Sequence, residues 1–246
     1  MRKKGIWFLV VVGVVHLISG RVLANVIAYD GFAYPVGPLA GMGPGVGFGT
    51  PWIADAGVMV TTPGLSSPLD MPSTGNAVGG QFNYFAPLTT TLAGSDFWAS
   101  FLLFHGTVND QTYMGLTSTG IGPPPEVAFG VQGQHYGIFS SSTPFIPATT
   151  PYTAPGSTDF LLTHFQALGG IWQISLYVNP TSLAVPSLVV PLPMTPYNEV
   201  LNQNQVGFES DEIRIGTTAF DAGFVPEPGA LVIAGITLAL AGWRRR

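Results

Sequence analysis

The densest group of reactive side chains is Glu209-Ser210-Asp211-Glu212. Two carboxyls about 5 Å apart beside a glycosidic bond can serve as nucleophile and acid/base. On a strand, Glu209 and Asp211 share a face and Glu212 points away. Here Glu212 follows Asp211 at once and Arg214 stands three places after it, so a base interrupts the acid series; no catalytic residue is assigned and the chain is read as a non-enzyme. The same residues suit a structural role. Glu212 and Arg214 share a strand face, and an acid neighbour offsets the cost of burying a guanidinium. Asp211 stands near the strand start, where it can cap a turn.

Other chemistries find little support. His105, His135 and His164 are far apart and show no metal-ligand spacing. Asp30, Asp55, Asp70 and Asp110 sit in loop-like contexts that could hold a structural calcium, though none belongs to a DxDxDG loop. Ser66, Ser95 and Ser118 lack a GxSxG frame, and Gly41-Met42-Gly43-Pro44-Gly45-Val46-Gly47 lacks the Lys-Ser/Thr of a phosphate loop. With no Cys and no Lys beyond Lys4, thiol and Schiff-base chemistry are excluded. Aromatic rings can stack on sugars. Trp98 and Trp172 lie in strong strand patterns and read as core, whereas Trp52, Tyr136 and Tyr152 lie near loops and are the candidates for sugar stacking.

The elements that must position these groups are strands. Gly and Pro (32 and 22 residues) interrupt nearly every window that could form a helix. Short alternating or apolar runs predict strands over 26–29, 57–61, 80–84, 96–103, 112–116, 127–133, 137–140, 159–167, 170–178, 206–208 and 212–216. Trp172, Ile174, Leu176 and Val178 alternate with Gln173, Ser175 and Tyr177, and Asn179-Pro180 ends that run. The stretches 37–51 and 140–157 read as loops, and the proline-rich 184–196 as an edge segment. The expected fold is all-β, an antiparallel β-sandwich of jelly-roll type.

Charge is sharply partitioned. The chain has 8 basic and 13 acidic residues, net −5, but Asn25 to Val225 holds twelve of the acids and a single base, Arg214. Such a body repels phosphate backbones, which excludes nucleic acid as a partner. The remaining bases mark the two ends. Arg2, Lys3 and Lys4 precede the apolar run 6–18, and Val22-Leu23-Ala24 offers a cleavage site; residues 1–24 read as a secretory signal peptide. At the other end Pro226-Glu227-Pro228 is followed by an apolar run to Trp243 and by Arg244, Arg245 and Arg246. That run is short for a membrane span, and the arginines should stay cytoplasmic.

The C-terminal arrangement resembles a PEP-CTERM sorting signal. The resemblance implies that Pro226, Glu227 and Pro228 are the processing motif for an exosortase and that Arg244, Arg245 and Arg246 form a basic tail retaining a short hydrophobic helix in the inner membrane. Tyr29-Asp30-Gly31-Phe32, Phe97 to Leu103, Ser175 to Pro180 and Asp211 to Thr217 together look like the extracellular domain carried by many such proteins, related to concanavalin A-like lectins and glucanases. The expected organisation is a signal peptide (1–24), a β-sandwich domain (25–223) and a sorting segment (224–246). The implied protein is secreted and processed, with a structural or adhesive role in exopolysaccharide or biofilm at the cell envelope or in the extracellular matrix. A lectin-like carbohydrate-binding module is the alternative, and a glycoside hydrolase the weaker one. Signal peptidase, exosortase and polysaccharide are the implied partners, with transient membrane anchoring. No cofactor is expected beyond the candidate calcium.

Overall fold

The computed structural model describes residues 25–69, 73–106, 111–118 and 125–225. The signal peptide, the Pro226-Glu227-Pro228 motif, the terminal helix and Arg244 to Arg246 lie outside the described residues, as do Asp70 and Asp110. The described elements are all strands: β1 (Val26–Asp30), β2 (Gly37–Pro38), β3 (Ile53–Ala54), β4 (Val58–Thr61), β5 (Ala77–Gly80), β6 (Phe82–Leu92), β7 (Phe97–Phe104) and β8 (Gln111–Thr117) in the first half. The second half adds β9 (Val127–Gln132), β10 (His135–Ser140), β11 (Thr143–Pro147), β12 (Thr158–Leu168), β13 (Ile171–Val178), β14 (Leu188–Pro193), β15 (Tyr197–Asn204) and β16 (Glu209–Gly216).

Two antiparallel sheets result. The nine-stranded sheet runs β14-β13-β12-β7-β16-β5-β4-β2, with β1 also paired to β16; the seven-stranded sheet runs β11-β10-β9-β8-β15-β6-β3. Period-two alternation explains their packing. In β7, Phe97, Ala99, Phe101 and Leu103 enter the main core, while Leu102 joins a second cluster on the other side that Trp98 and Phe104 pack against. The sheets meet through Phe101 on Phe129 at 5.6 Å and Trp172 on Tyr197 at 6.2 Å between ring centres. The outer side of the nine-stranded sheet is covered by Leu65 and by Ala219, Ala222 and Phe224, and Ser100 Oγ donates to the Ala222 carbonyl at 2.6 Å.

Three expectations change. The run 80–84 is not one strand: the chain leaves the larger sheet at Gly80 (φ 105) and enters the smaller one at Phe82 (φ 98). Residues 206–208 form a turn, and the strand lies upstream as β15, whose core-facing phase carries Asn202 and Asn204 instead of apolar groups. Within the stretch read as a loop, Thr143–Pro147 forms the edge strand β11. The expected edge at 184–196 is β14, and Pro191 and Pro193 withhold amide donors there. Pro144 and Pro147 do the same on β11, which blunts both edges against pairing with another chain.

Candidate functional site

The seven-stranded sheet carries a cleft on the face turned away from the core. Met114 and Leu116 of β8, Phe129 and Val131 of β9, and Tyr136 and Ile138 of β10 point inward. The opposite phase therefore presents Gln111 and Tyr113, then Gly130 and Gln132, then Gly137 and Phe139, with Phe145 on β11 beyond them. The cleft has a volume of about 250 Å³. Its apolar surface comes from Tyr113, Phe139, Phe145 and Pro125; its polar rim comes from Gln111, Gln132, Ser140 and Thr143.

Glycines let these rings lie against the sheet. A Cβ on Gly137 would stand 2.5 Å from Phe145 Cζ, one on Gly130 would stand 2.8 Å from Tyr113 Cβ, and one on Gly115 would stand 2.7 Å from Pro125 Cβ. Phe139 is the hinge of the aromatic row, 5.1 Å from Tyr113 at 46° and 4.7 Å from Phe145 at 42°. Tyr113 is almost fully covered, and burial pushes its hydroxyl up to about 12, so it stays neutral. Phe139 and Phe145 are half-buried and keep exposed surface. The site thus offers inclined apolar ring surfaces flanked by amides and hydroxyls. It can bind; among the described residues its lining holds no carboxylate, imidazole or amine to move a proton.

Two of the three aromatics expected at the surface, Trp52 and Tyr136, are buried, which corrects their assignment, and none of the three lines the cleft. Trp52 is 1% exposed; its ring packs on Phe48, Phe32 and Tyr84, and its Nε1 donates to Asp30 Oδ2 at 2.8 Å. Tyr136 is 0% exposed and donates to Asp159 Oδ2 at 2.6 Å. Tyr152 is half-buried against Tyr136 and His105, with its hydroxyl 2.9 Å from His105 Nδ1. A position near a loop in sequence did not mean exposure: the 148–157 segment hydrogen-bonds back to Tyr136 and His105, and Trp52 turns into the core. Phe139 and Phe145, the half-buried rings of the cleft, are not among the Trp and Tyr candidates read from the sequence. The available signal was that Phe139 lies in the phase opposite Tyr136 and Ile138.

Asp30 and Asp159 are tied up inside the fold. Asp30 accepts from the Phe32 amide (2.8 Å), the Gly45 amide (3.1 Å), Trp52 Nε1 and the Tyr34 hydroxyl. Asp159 accepts from Tyr136, from Thr153 Oγ1 (2.5 Å), from Asn179 Nδ2 (2.6 Å) and from His105 Nε2. Burial raises the Asp159 carboxyl, but the hydrogen bonds from His105, Thr153, Tyr136 and Asn179 together outweigh it and hold the group below its ordinary value. With the imidazole proton on Nε2, His105 donates to Asp159 and accepts from Tyr152 on Nδ1.

The acid cluster on β16 is structural, as its spacing with Arg214 suggested. A bulge falls between Asp211 and Arg214, with Glu212 left-handed at φ 53, and here β16 changes partner from β5 to β1. Arg214 Nη2 lies 2.7 Å from Glu212 Oε2, and its guanidinium sits 4.8 Å from the Tyr29 ring centre. Glu212 also accepts from the Thr74 amide, and Asp211 accepts from the Leu65 amide at 2.9 Å and the Glu212 amide at 2.7 Å. Glu209 accepts from Thr61 Oγ1 at 3.1 Å. Burial pushes the Asp211 carboxyl up to about 8; the Leu65 amide opposes this and the Glu212 charge adds to it.

The histidines stay apart: His105 on Asp159, His135 exposed on β10, and His164 stacked on Trp98 at 4.0 Å. Asp55 accepts from the Asn83 amide at 2.9 Å. Among the described residues, no three His, Asp or Glu side chains gather as a metal site.

No family model and no curated protein matches this chain. Among solved structures, the cellulose induced protein Cip1 is 14% identical with a TM-score of 0.45, covering 77% of this chain and 97% of its own. The metal-free carbohydrate recognition domain of Emp46p is 10% identical with a TM-score of 0.40, covering 68% and 88%. The Trypanosoma rangeli sialidase in complex with the inhibitor DANA is 10% identical with a TM-score of 0.43; 67% of this chain is covered but only 28% of the sialidase. At these TM-scores and identities the likenesses carry no argument about what this chain does.

Proposed function

We propose that the protein is a secreted, exosortase-processed component of the cell envelope or extracellular matrix whose sandwich binds polysaccharide without cleaving it. The observation that carries the binding reading is the cleft on the seven-stranded sheet, where half-buried Phe139 and Phe145 meet the amides of Gln111 and Gln132. Sugar rings carry apolar C–H faces and polar hydroxyl edges, and a ring surface bordered by amides complements both. A lectin-like adhesive role in exopolysaccharide follows from that chemistry. Among the described residues the cleft offers the hydrolase reading no carboxylate, and Asp30, Asp159, Asp211 and Glu212 are committed to internal hydrogen bonds.

Two measurements test the proposal. The purified protein is titrated against soluble polysaccharides while reducing ends are assayed. Saturable binding without release of ends is expected; steady release would make it an enzyme. For processing, the C-terminus is read by mass spectrometry after expression with and without an exosortase. Truncation at Pro226-Glu227-Pro228 only when the exosortase is present is expected, and an intact Arg246 terminus in both would overturn that part.

A further inference from the structure

We infer that the cleft takes an uncharged polysaccharide and refuses acidic polymers. The inference rests on the polysaccharide-binding reading above and adds its ligand class.

The lining decides the sign. Gln111, Gln132, Ser140 and Thr143 offer hydrogen bonds without charge, and the three rings and Pro125 are apolar. A carboxylate or sulfate entering the cleft would lose water and meet no cation. The body's guanidinium, Arg214, belongs to the other sheet and is held by Glu212 at 2.7 Å.

The charges near the cleft point the same way. Glu126 follows the lining residue Pro125 and accepts from the Ser118 amide at 2.9 Å and the Ser118 hydroxyl at 2.6 Å. Burial raises its carboxyl, yet the hydrogen bonds from Ser118 and Thr117 dominate and keep it below the ordinary range, so it stays ionised. His135 sits exposed on β10 opposite Gln132. Around this lies a body with twelve acids and one base, which repels any polyanion before contact.

Phe139 and Phe145 are inclined at 42° to each other and keep part of their surface exposed. A sugar whose hydroxyls are all equatorial presents hydrogens alone on both faces and can lie on such a ring. At about 250 Å³ the cleft grips one unit of a chain rather than enclosing a ligand.

The experiment titrates the whole protein with laminarin and with alginate, at about 20 and about 500 mM NaCl. Laminarin should bind with an affinity that salt leaves within about twofold, and alginate should not bind. Phe145→Ala should weaken laminarin binding by at least about tenfold. Gln132→Ala, at an exposed position that places no demand on folding, should weaken it by a smaller factor. Alginate binding that Phe145→Ala removes would overturn the neutral-ligand inference while leaving polysaccharide binding intact. Laminarin binding untouched by both variants would place the site elsewhere and overturn it as well. Failure of both polymers, and of a wider neutral panel, would sink the polysaccharide reading and this inference with it.

Discussion

Phe145 on the edge strand β11 lies over Gly137 of β10, so closely that a methyl group on Gly137 would collide with the edge of the ring. The contact couples the cleft to the stability of the edge strand. The ring that offers surface to a ligand is also the cover of its neighbour's bare backbone.

Gly137→Ala should therefore push Phe145 off the sheet and loosen β11. A loss of about 1–3 kcal/mol is expected from overpacking of this size. Urea denaturation measures it, and ligand affinity should fall in the same variant. An unchanged midpoint would mean that the ring moves aside freely.

Arg214→Met should be among the most destabilising single changes in the body. Glu212 is fully buried, and removing the guanidinium strands its charge, which costs about 3–5 kcal/mol. The double variant Arg214→Met with Glu212→Gln should recover part of that loss, because no buried charge is left unpaired. Equal denaturation midpoints for the single and double variants would refute the pairing argument.

Asp211 should make the protein less stable as pH rises. Its folded value, about 8, lies above the ordinary 3.8, so between those pH values the folded state holds a proton that the unfolded chain has released. Stability then falls by up to about 1.4 kcal/mol per pH unit across that window, and is flat above it. Asp211→Asn keeps an acceptor for the Leu65 amide and should flatten this slope, as read from denaturation midpoints at several pH values.

Asp159 should act with the opposite sign. Its folded value is depressed, so its contribution is present above the unfolded value and disappears as pH falls through the folded one. Tyr136→Phe removes one of its donors at constant volume and should cost about 1–3 kcal/mol at neutral pH. A neutral outcome would show that the Thr153, Asn179 and His105 hydrogen bonds satisfy the carboxylate alone.

Local alternation is written in the sequence, and it was enough for β7, β12 and β13, where apolar groups recur at every second residue. It failed at β15, because Asn202 and Asn204 occupy the inward phase, and at 80–84, because turning between two sheets leaves no periodic mark. The pairing of Glu212 with Arg214 was also legible, since residues two apart on a strand share a face and a lone buried cation needs a neighbour. The exposure of a ring was not legible. Trp52 and Tyr136 lie beside loops, yet each carries a polar atom that a buried carboxylate, Asp30 or Asp159, satisfies inside the fold. Phe145 sits in a Ser/Thr/Pro run, and it becomes part of a cleft only once β11 pairs with β10 and Gly137 makes room for it. Composition, charge partition and strand character depend on residues close in the chain, so the sequence alone determined them. The cleft depends on which face each of four strands turns outward once paired, and that register is decided only by tertiary packing.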